Sequence, residues 1–264
     1  MASSLGLEPP GPTRDGGSNA AHGGSEVLSS DFLQPSLSDQ VAEVGSVTAT
    51  DLNVIWLSST DLLGAPLSDP PAAELLVFEA TAEIRRNVDE LYDRGARQFV
   101  VLNLPSLAVL PLSTETLNDE ESAMLGGLTE LFNTELSRQL EDARTTLSSI
   151  DVVEFDVHAL FAQVLADPDG FGFSNVTDAA APFDVDALIA GLATGPPPLG
   201  VDVDTYLFYD GLHPTARTHE VLGQLVAEAV SVPEPSGLMA WQATWLLAGW
   251  VLCRLRLRQK AACY

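Results

Sequence analysis

The sequence predicts an α/β fold in which helices alternate with the strands of a parallel sheet. Compact apolar runs at 52–57, 98–103 and 152–156 read as buried strands. Helix-period segments at 72–94 and 116–146 separate them, so each connection is a crossover and the strands run parallel. A fourth short strand, Tyr206-Leu207-Phe208-Tyr209, leads into Asp210-Gly211-Leu212-His213-Pro214.

Residues 1 to about 35 are rich in Gly, Pro and Ser and read as loop. Within them, Asn19-Ala20-Ala21-His22-Gly23-Gly24-Ser25 is a small-residue turn where backbone can approach a ligand closely. Leu37 to Val41 starts a short helix. The strand at Leu52–Leu57 ends in Ser58-Ser59-Thr60-Asp61, a polar cluster at the edge where parallel sheets bind ligands. In the helix from Ala72 to Arg94, Leu75, Leu76, Phe78, Ala82, Ile84, Val88 and Leu91 fall near one face, and Gly95 terminates it. In the next long helix the apolar side carries Leu125, Leu128, Leu131, Phe132, Leu136 and Leu140. His158 to Leu165 is a further helix. Phe171 to Gly200 reads as an irregular connection, and Thr215 to Val230 as the helix that closes the body.

Composition limits the function. Of 264 residues 46% are hydrophobic, enough for one domain with a sizeable core. Acidic residues number 37 against 12 basic, a formal net charge of -25. Nucleic acid and anionic headgroups are repelled by such a body, so no nucleic-acid partner is expected. The two cysteines, Cys253 and Cys263, both lie in the tail. The body therefore has no disulfide framework and no thiolate metal site. The four histidines are scattered and no His-Glu-x-x-His pattern occurs, so neither a metal nor a cofactor is expected. Met1 to Gly6 lacks the basic start and apolar run of a signal peptide.

The chemistry-bearing pattern is Asp210 three residues before His213. A histidine acting as general base needs a carboxylate to fix its tautomer and stabilise its charged form. From spacing alone, His213 as a cap on the following helix stays open as the alternative.

The tail is different in kind. Val232-Pro233-Glu234-Pro235 precedes an apolar stretch from Gly237 to Cys253, followed by Arg254, Arg256, Arg258 and Lys260. Its length is near the lower limit for spanning a bilayer, and the basic end follows the positive-inside rule. This three-part pattern resembles the PEP-CTERM sorting signal. The resemblance implies exosortase-type sorting machinery as a partner, export to the envelope of a Gram-negative bacterium, and a single-pass membrane helix or release after cleavage. The chain thus divides into a body at 1–230 and a sorting segment at 231–264, with the motif at 232–235, the helix at about 237–253 and the basic end at 254–260.

The body resembles the GDSL (SGNH) esterase/lipase family, in its plant-type lipase and thermolabile haemolysin branch, from about Leu5 to Val230. The landmarks, in order, are Gly17 to Gly24, Val54-Ile55-Trp56 with Asp61, Gly95-Ala96-Arg97, Asn103-Leu104-Pro105, Phe155-Asp156-Val157, Gly172 to Thr177, and Phe208 to Thr215. The resemblance implies an SGNH-hydrolase-like (flavodoxin-like) parallel sheet sandwiched by helices and a carboxylic-ester hydrolase acting on an ester or lipid substrate. It implies that His213 is the general base, that Asp210 orients it, and that Gly24 and the residue at Thr60 donate to the oxyanion.

Two departures stand out. The family has Gly-x-Asn-Asp where this chain has Ser58-Ser59-Thr60-Asp61, so a shorter, single-donor hydroxyl replaces the asparagine amide. Losing one oxyanion donor costs ~10²–10³ in turnover. No Gly-Asp-Ser nucleophile block and no Gly-x-Ser-x-Gly elbow occurs in the sequence. The expectation is a truncated domain lacking its N-terminal strand and nucleophile, inactive as it stands. The alternative expectation is a non-catalytic cell-surface binding protein that keeps the fold.

Overall fold

The computed structural model describes residues 1–6, 8–29, 34–181, 198 and 200–231. The expected sorting motif at 232–235, transmembrane helix at 237–253 and basic end lie outside the described residues. Among the described residues no helix is long and apolar enough to cross a membrane. The chain divides into two compact units, one spanning Ala2–Phe161 and the other running from Ala162 onward together with Met1.

The first unit holds a parallel sheet of β1 (Leu52–Ile55), β2 (Gln98–Leu102) and β3 (Asp151–Phe155), paired in the order β1-β2-β3. Leu52 stands opposite Gln98, and Val101 opposite Glu154. The β1–β2 crossover carries α2 (Ser59–Leu63) and α3 (Pro70–Asp93). The β2–β3 crossover carries α4 (Pro111–Thr116) and α5 (Asp119–Thr146). Two long helices with apolar stripes bury them against each other, and α3 and α5 do so.

Each long helix is bounded by recognisable chemistry. The Asp69 carboxylate accepts the Ala72 N–H, and Pro70-Pro71 fills the first helical positions, where no N–H is needed. Gly95, at φ +116°, ends α3 with its N–H on the Tyr92 carbonyl while the Ala96 N–H bonds Leu91. α5 opens on a reciprocal capping box between Asn118 and Glu121, with three acids in its first turn facing the positive end of the helix dipole. Phe99, Phe132, Leu136, Leu140 and Ile84 are essentially sealed from solvent. A shorter helix, α1 (Leu37–Glu43), is capped by Ser36 and Asp39 and tied to α3 by the Arg94 guanidinium, which donates to the Val41 and Gly45 carbonyls at 2.7 and 2.6 Å.

Three readings are corrected. In α3 the buried stripe is Ala73, Val77, Ala80, Thr81, Ile84, Asn87, Val88 and Leu91, while Leu75 and Phe78 are exposed at 56% and 44%. Alanine, valine and alanine at 73, 77 and 80 make up the first part of the packed face, and the bulky pair lies on the outer side. The run at 52–57 is shorter than expected and not buried throughout. β1 lies at the edge of its sheet, and Val54 is 45% exposed. The connection from Phe171 to Gly200 is not wholly irregular, as described next.

In the second unit, α6 (Val157–Ala166), which begins in the first, leads to a single turn, α7 (Pro168–Phe171), and then to β4 (Asn175–Ala179). β4 pairs in parallel with β5 (Tyr206–Phe208), Asn175 opposite Tyr206 and Ala179 opposite Phe208. Asn-Val-Thr-Asp-Ala has no apolar run, and the Asn175 side chain bends the strand by accepting the N–H groups of Thr177 and Asp178. Periodicity could not reveal such a strand. The unit closes with α8 (Ala216–Ser231), which buries Thr218, Leu222, Val226 and Ala227.

Candidate active site

The loop after β5 is fixed by backbone before any side chain acts. Leu207 and Phe208 are fully buried. Tyr209 donates its N–H to the His213 carbonyl at 2.7 Å, and Thr215 donates to the Leu207 carbonyl at 3.0 Å. The chain therefore turns back on itself between residues 209 and 213. Thr215, not His213, caps α8: its hydroxyl accepts the Thr218 N–H at 3.2 Å and donates to the Tyr206 carbonyl at 2.8 Å. The capping alternative for His213 is thereby removed.

Inside this turn Asp210 is 2% exposed. Its carboxylate accepts the Leu212 N–H at 2.9 Å and the His213 N–H at 2.8 Å. The His213 Nδ1 lies 3.0 and 2.9 Å from the two carboxylate oxygens. A carboxylate at Nδ1 assigns the proton to that nitrogen and leaves Nε2 as the acceptor. The imidazole is 61% exposed, so its outer nitrogen faces an approachable side. Burial pushes the Asp210 carboxyl up, but the hydrogen bonds from the His213 ring and from the His213 and Leu212 N–H groups outweigh it and hold the pKa below its usual value. The hydrogen bond to Asp210 raises His213 above its usual value against the opposing pull of burial. In the first turn of α8, burial and then the charge of His213 lower His219.

The first unit carries the other two expected site positions. Gly24 sits at φ +77°, in the left-handed region, and a Cβ there would come within 2.6 Å of the Gln34 side chain. Thr60 is half-buried in α2, directly after β1. Asp61, 4% exposed, ties the two segments: its carboxylate accepts the Val27 N–H at 2.9 Å and the Leu28 N–H at 3.3 Å. The aspartate of the Ser-Ser-Thr-Asp run thus anchors the loop that carries Gly24. Burial raises the Asp61 pKa, and the backbone donors with the neighbouring Ser58 hydroxyl only partly offset it.

Two features here were not legible in the sequence. Ser58 adopts φ +97°, a conformation that costs a residue with a Cβ ~1–3 kcal/mol. The Ser25 hydroxyl, 2% exposed, has no hydrogen-bond partner among the described residues.

Asn103 has a role that its position as a landmark did not disclose. Its amide donates to Asp156 at 3.0 Å and accepts the His158 N–H at 3.0 Å. Asp156 in turn accepts the Ala159 N–H at 2.9 Å. The carboxyl ends of β2 and β3 are therefore latched to the start of α6.

A family profile described as GDSL-like Lipase/Acylhydrolase matches residues 1–226. The chain belongs to that family. Among curated proteins, a GDSL esterase/lipase of Arabidopsis thaliana is 27% identical over 152 residues, covering 55% of this chain and 42% of its own. A second Arabidopsis thaliana GDSL esterase/lipase is 26% identical over 178 residues, covering 62% of this chain and 45% of its own. The anther-specific proline-rich protein APG of Brassica napus is 27% identical over 143 residues, covering 50% and 29%. This GDSL-family chain spans less than half the length of each of these relatives. The α/β architecture with its parallel sheet is the one expected for the family.

Proposed function

We propose that the chain is a GDSL-type carboxylic-ester hydrolase in which His213 is the general base and Asp210 orients it. The Gly24 N–H and the Thr60 hydroxyl are the proposed oxyanion donors. The observation that carries the reading is the buried Asp210 carboxylate, bonded to two backbone N–H groups and to His213 Nδ1 while the other ring nitrogen stays approachable. In the reaction His213 takes the proton of an attacking hydroxyl at Nε2, and Asp210 stabilises the imidazolium that results. The proton then passes to the leaving alcohol. The attacking serine belongs to no Gly-Asp-Ser motif within these 264 residues. We therefore place the nucleophile outside them, and these residues alone turn over no ester above background.

A short-chain p-nitrophenyl ester assay tests this. These 264 residues by themselves are expected to be silent. The reading frame extended upstream into a Gly-Asp-Ser block is expected to hydrolyse the ester, with an acidic limb above pH 6.5 because Asp210 raises His213. His213→Ala should then remove ~10³-fold or more of kcat. Activity of the extended chain that survives His213→Ala sinks the assignment.

Thr60 at the asparagine position and the missing serine motif favour a second reading, a non-catalytic surface protein that keeps the fold. An extended chain with a Gly-Asp-Ser block yet no turnover favours it. Export and membrane sorting through residues 232–260 belong to the same proposal and rest on the three-part pattern of that segment. Unchanged membrane partitioning after deletion of 231–264 would remove them.

A further inference from the structure

A cleft of about 520 Å³ opens between the loop at 12–23 and the last turn of α1, lined by Thr13, Arg14, Asn19, His22, Gly23 and Glu43 among others. Its volume is within the usual range for small-molecule sites, ~300–1,000 Å³. None of its side chains takes part in the chemistry proposed above.

The wall is built by backbone. Asn19 donates its N–H to the Gly11 carbonyl at 2.9 Å, Thr13 donates to Asn19 at 3.0 Å, and Gly17 donates to Pro12 at 3.0 Å. A Cβ at Gly17 would lie 1.9 Å from the Gly11 carbonyl oxygen, so only glycine closes this loop. Glu43 joins the loop to α1, accepting the Thr13 hydroxyl at 3.1 Å and lying 3.7 Å from His22 Nε2. Asn19 Oδ1 is taken by the Ala21 N–H at 3.1 Å, which leaves the amide NH₂ to donate.

The lining decides the ligand. A guanidinium, a hydroxyl, a carboxamide, an imidazole and a carboxylate are all among the lining groups, so the cleft offers both donors and acceptors. An acyl chain would desolvate these groups without replacing their hydrogen bonds. An anion would meet Glu43, Asp15 beside Arg14, and a chain of net charge -25. A neutral polyhydroxylated molecule satisfies both kinds of group, since each hydroxyl donates once and accepts twice. We propose that this cleft binds a neutral saccharide, and that the ester carried on that saccharide is presented to Gly24, the residue after Gly23 in the cleft wall. The second half rests on the reading of Gly24 as an oxyanion donor; the binding itself does not.

The test is an amide-resolved NMR titration of the full chain with cellobiose, with sodium hexanoate and sodium glucuronate as comparison ligands. Saturable shifts at Thr13, His22 and Gly23 are expected with cellobiose. Arg14→Ala and Glu43→Gln should each weaken binding about tenfold, the worth of one charge-assisted hydrogen bond. The Arg14 side chain is 84% exposed, and glutamine keeps an acceptor for Thr13, so both variants should fold. Shifts that do not saturate, affinity unchanged in both variants, or tighter binding of hexanoate or glucuronate overturns the proposal. Cellobiose binding needs no turnover. Saturable binding by a chain whose upstream-extended form hydrolyses no ester supports the cleft and counts against the hydrolase reading alone.

Discussion

Two buried aspartates, one in each unit, do similar structural work and titrate in opposite directions. Asp61 accepts the N–H groups of Val27 and Leu28, and Asp210 accepts those of Leu212 and His213. Both are under 5% exposed. Yet Asp61 is shifted up and Asp210 down. The main difference is an imidazole, because His213 adds a charged partner that Asp61 lacks. The backbone donors and the Ser58 hydroxyl do not overcome the cost of burying the Asp61 charge, whereas backbone donors with a histidine do so at Asp210. The Asp61 side is therefore an anchor, and the Asp210 side is arranged to hold charge on its partner.

The largest effect that would separate them is on stability. Asp210→Ala strands two buried N–H groups and removes the His213 partner, and should cost about 3 kcal/mol. Asp61→Ala strands two N–H groups but also relieves a carboxylate that burial disfavours, so about 1–2 kcal/mol is expected. Urea unfolding at pH 7 measures both. Equal losses would mean that the imidazole contributes nothing.

Acid titration of stability should separate them next. The raised Asp61 contributes stability that is fully present below its ordinary 3.8 and is lost as pH rises through its folded value. The lowered Asp210 contributes stability above 3.8 that is lost as pH falls through its folded value. The raised His213 contributes below 6.5 and loses its contribution as pH rises through its folded value. The Asp210–His213 pair is thus worth most between pH 3.8 and 6.5. Asp210→Asn should flatten the fall in stability on acidification below that window, and Asp61→Asn should flatten the fall on the rise just above pH 3.8. Identical profiles for the two variants would erase the distinction.

How much of this was visible in the sequence follows from the range of each interaction. Asp210 and His213 are three residues apart, and a turn that short can bring them together whatever the rest of the chain does. The strands at 98–102 and 151–155 and the two long helices carry their own periodicity and caps, so they were legible too. Interactions spanning tens of residues were not: the Asp61 carboxylate on Val27, the Asn103 latch on Asp156, and the packing of α3 that leaves Leu75 and Phe78 outside. β4 was missed because its side chains bond to their own backbone and carry no apolar signal. The cleft at Glu43 escaped because it joins two segments about thirty residues apart: the turn at 19–25 suggests close approach of a ligand, but nothing in it points to Glu43 on α1.

Ser58 offers a smaller effect that bears on the anchor alone. Ser58 sits at φ +97°, a conformation that glycine adopts without strain and a residue with a Cβ does not. Ser58→Gly should relieve the Cβ strain, partly offset by the entropy that glycine adds to the unfolded chain, for a net gain of about 1 kcal/mol. A loss of stability in thermal unfolding would show that the Ser58 hydroxyl matters more to Asp61 than its backbone strain costs.

The smallest expected effect reads the charge of His213 from a neighbour. Burial is the larger reason that His219 lies below 6.5, and the positive charge of His213 is the second. In His213→Ala the second cause disappears, so the His219 ring resonances should titrate at a higher pH than in the parent chain while staying below 6.5. Asp210→Asn should move His219 the same way, because an imidazole without its carboxylate carries its charge over a narrower pH range. If His219 does not respond to either change, His213 is not charged where His219 titrates, and the imidazole cannot be what distinguishes Asp210 from Asp61.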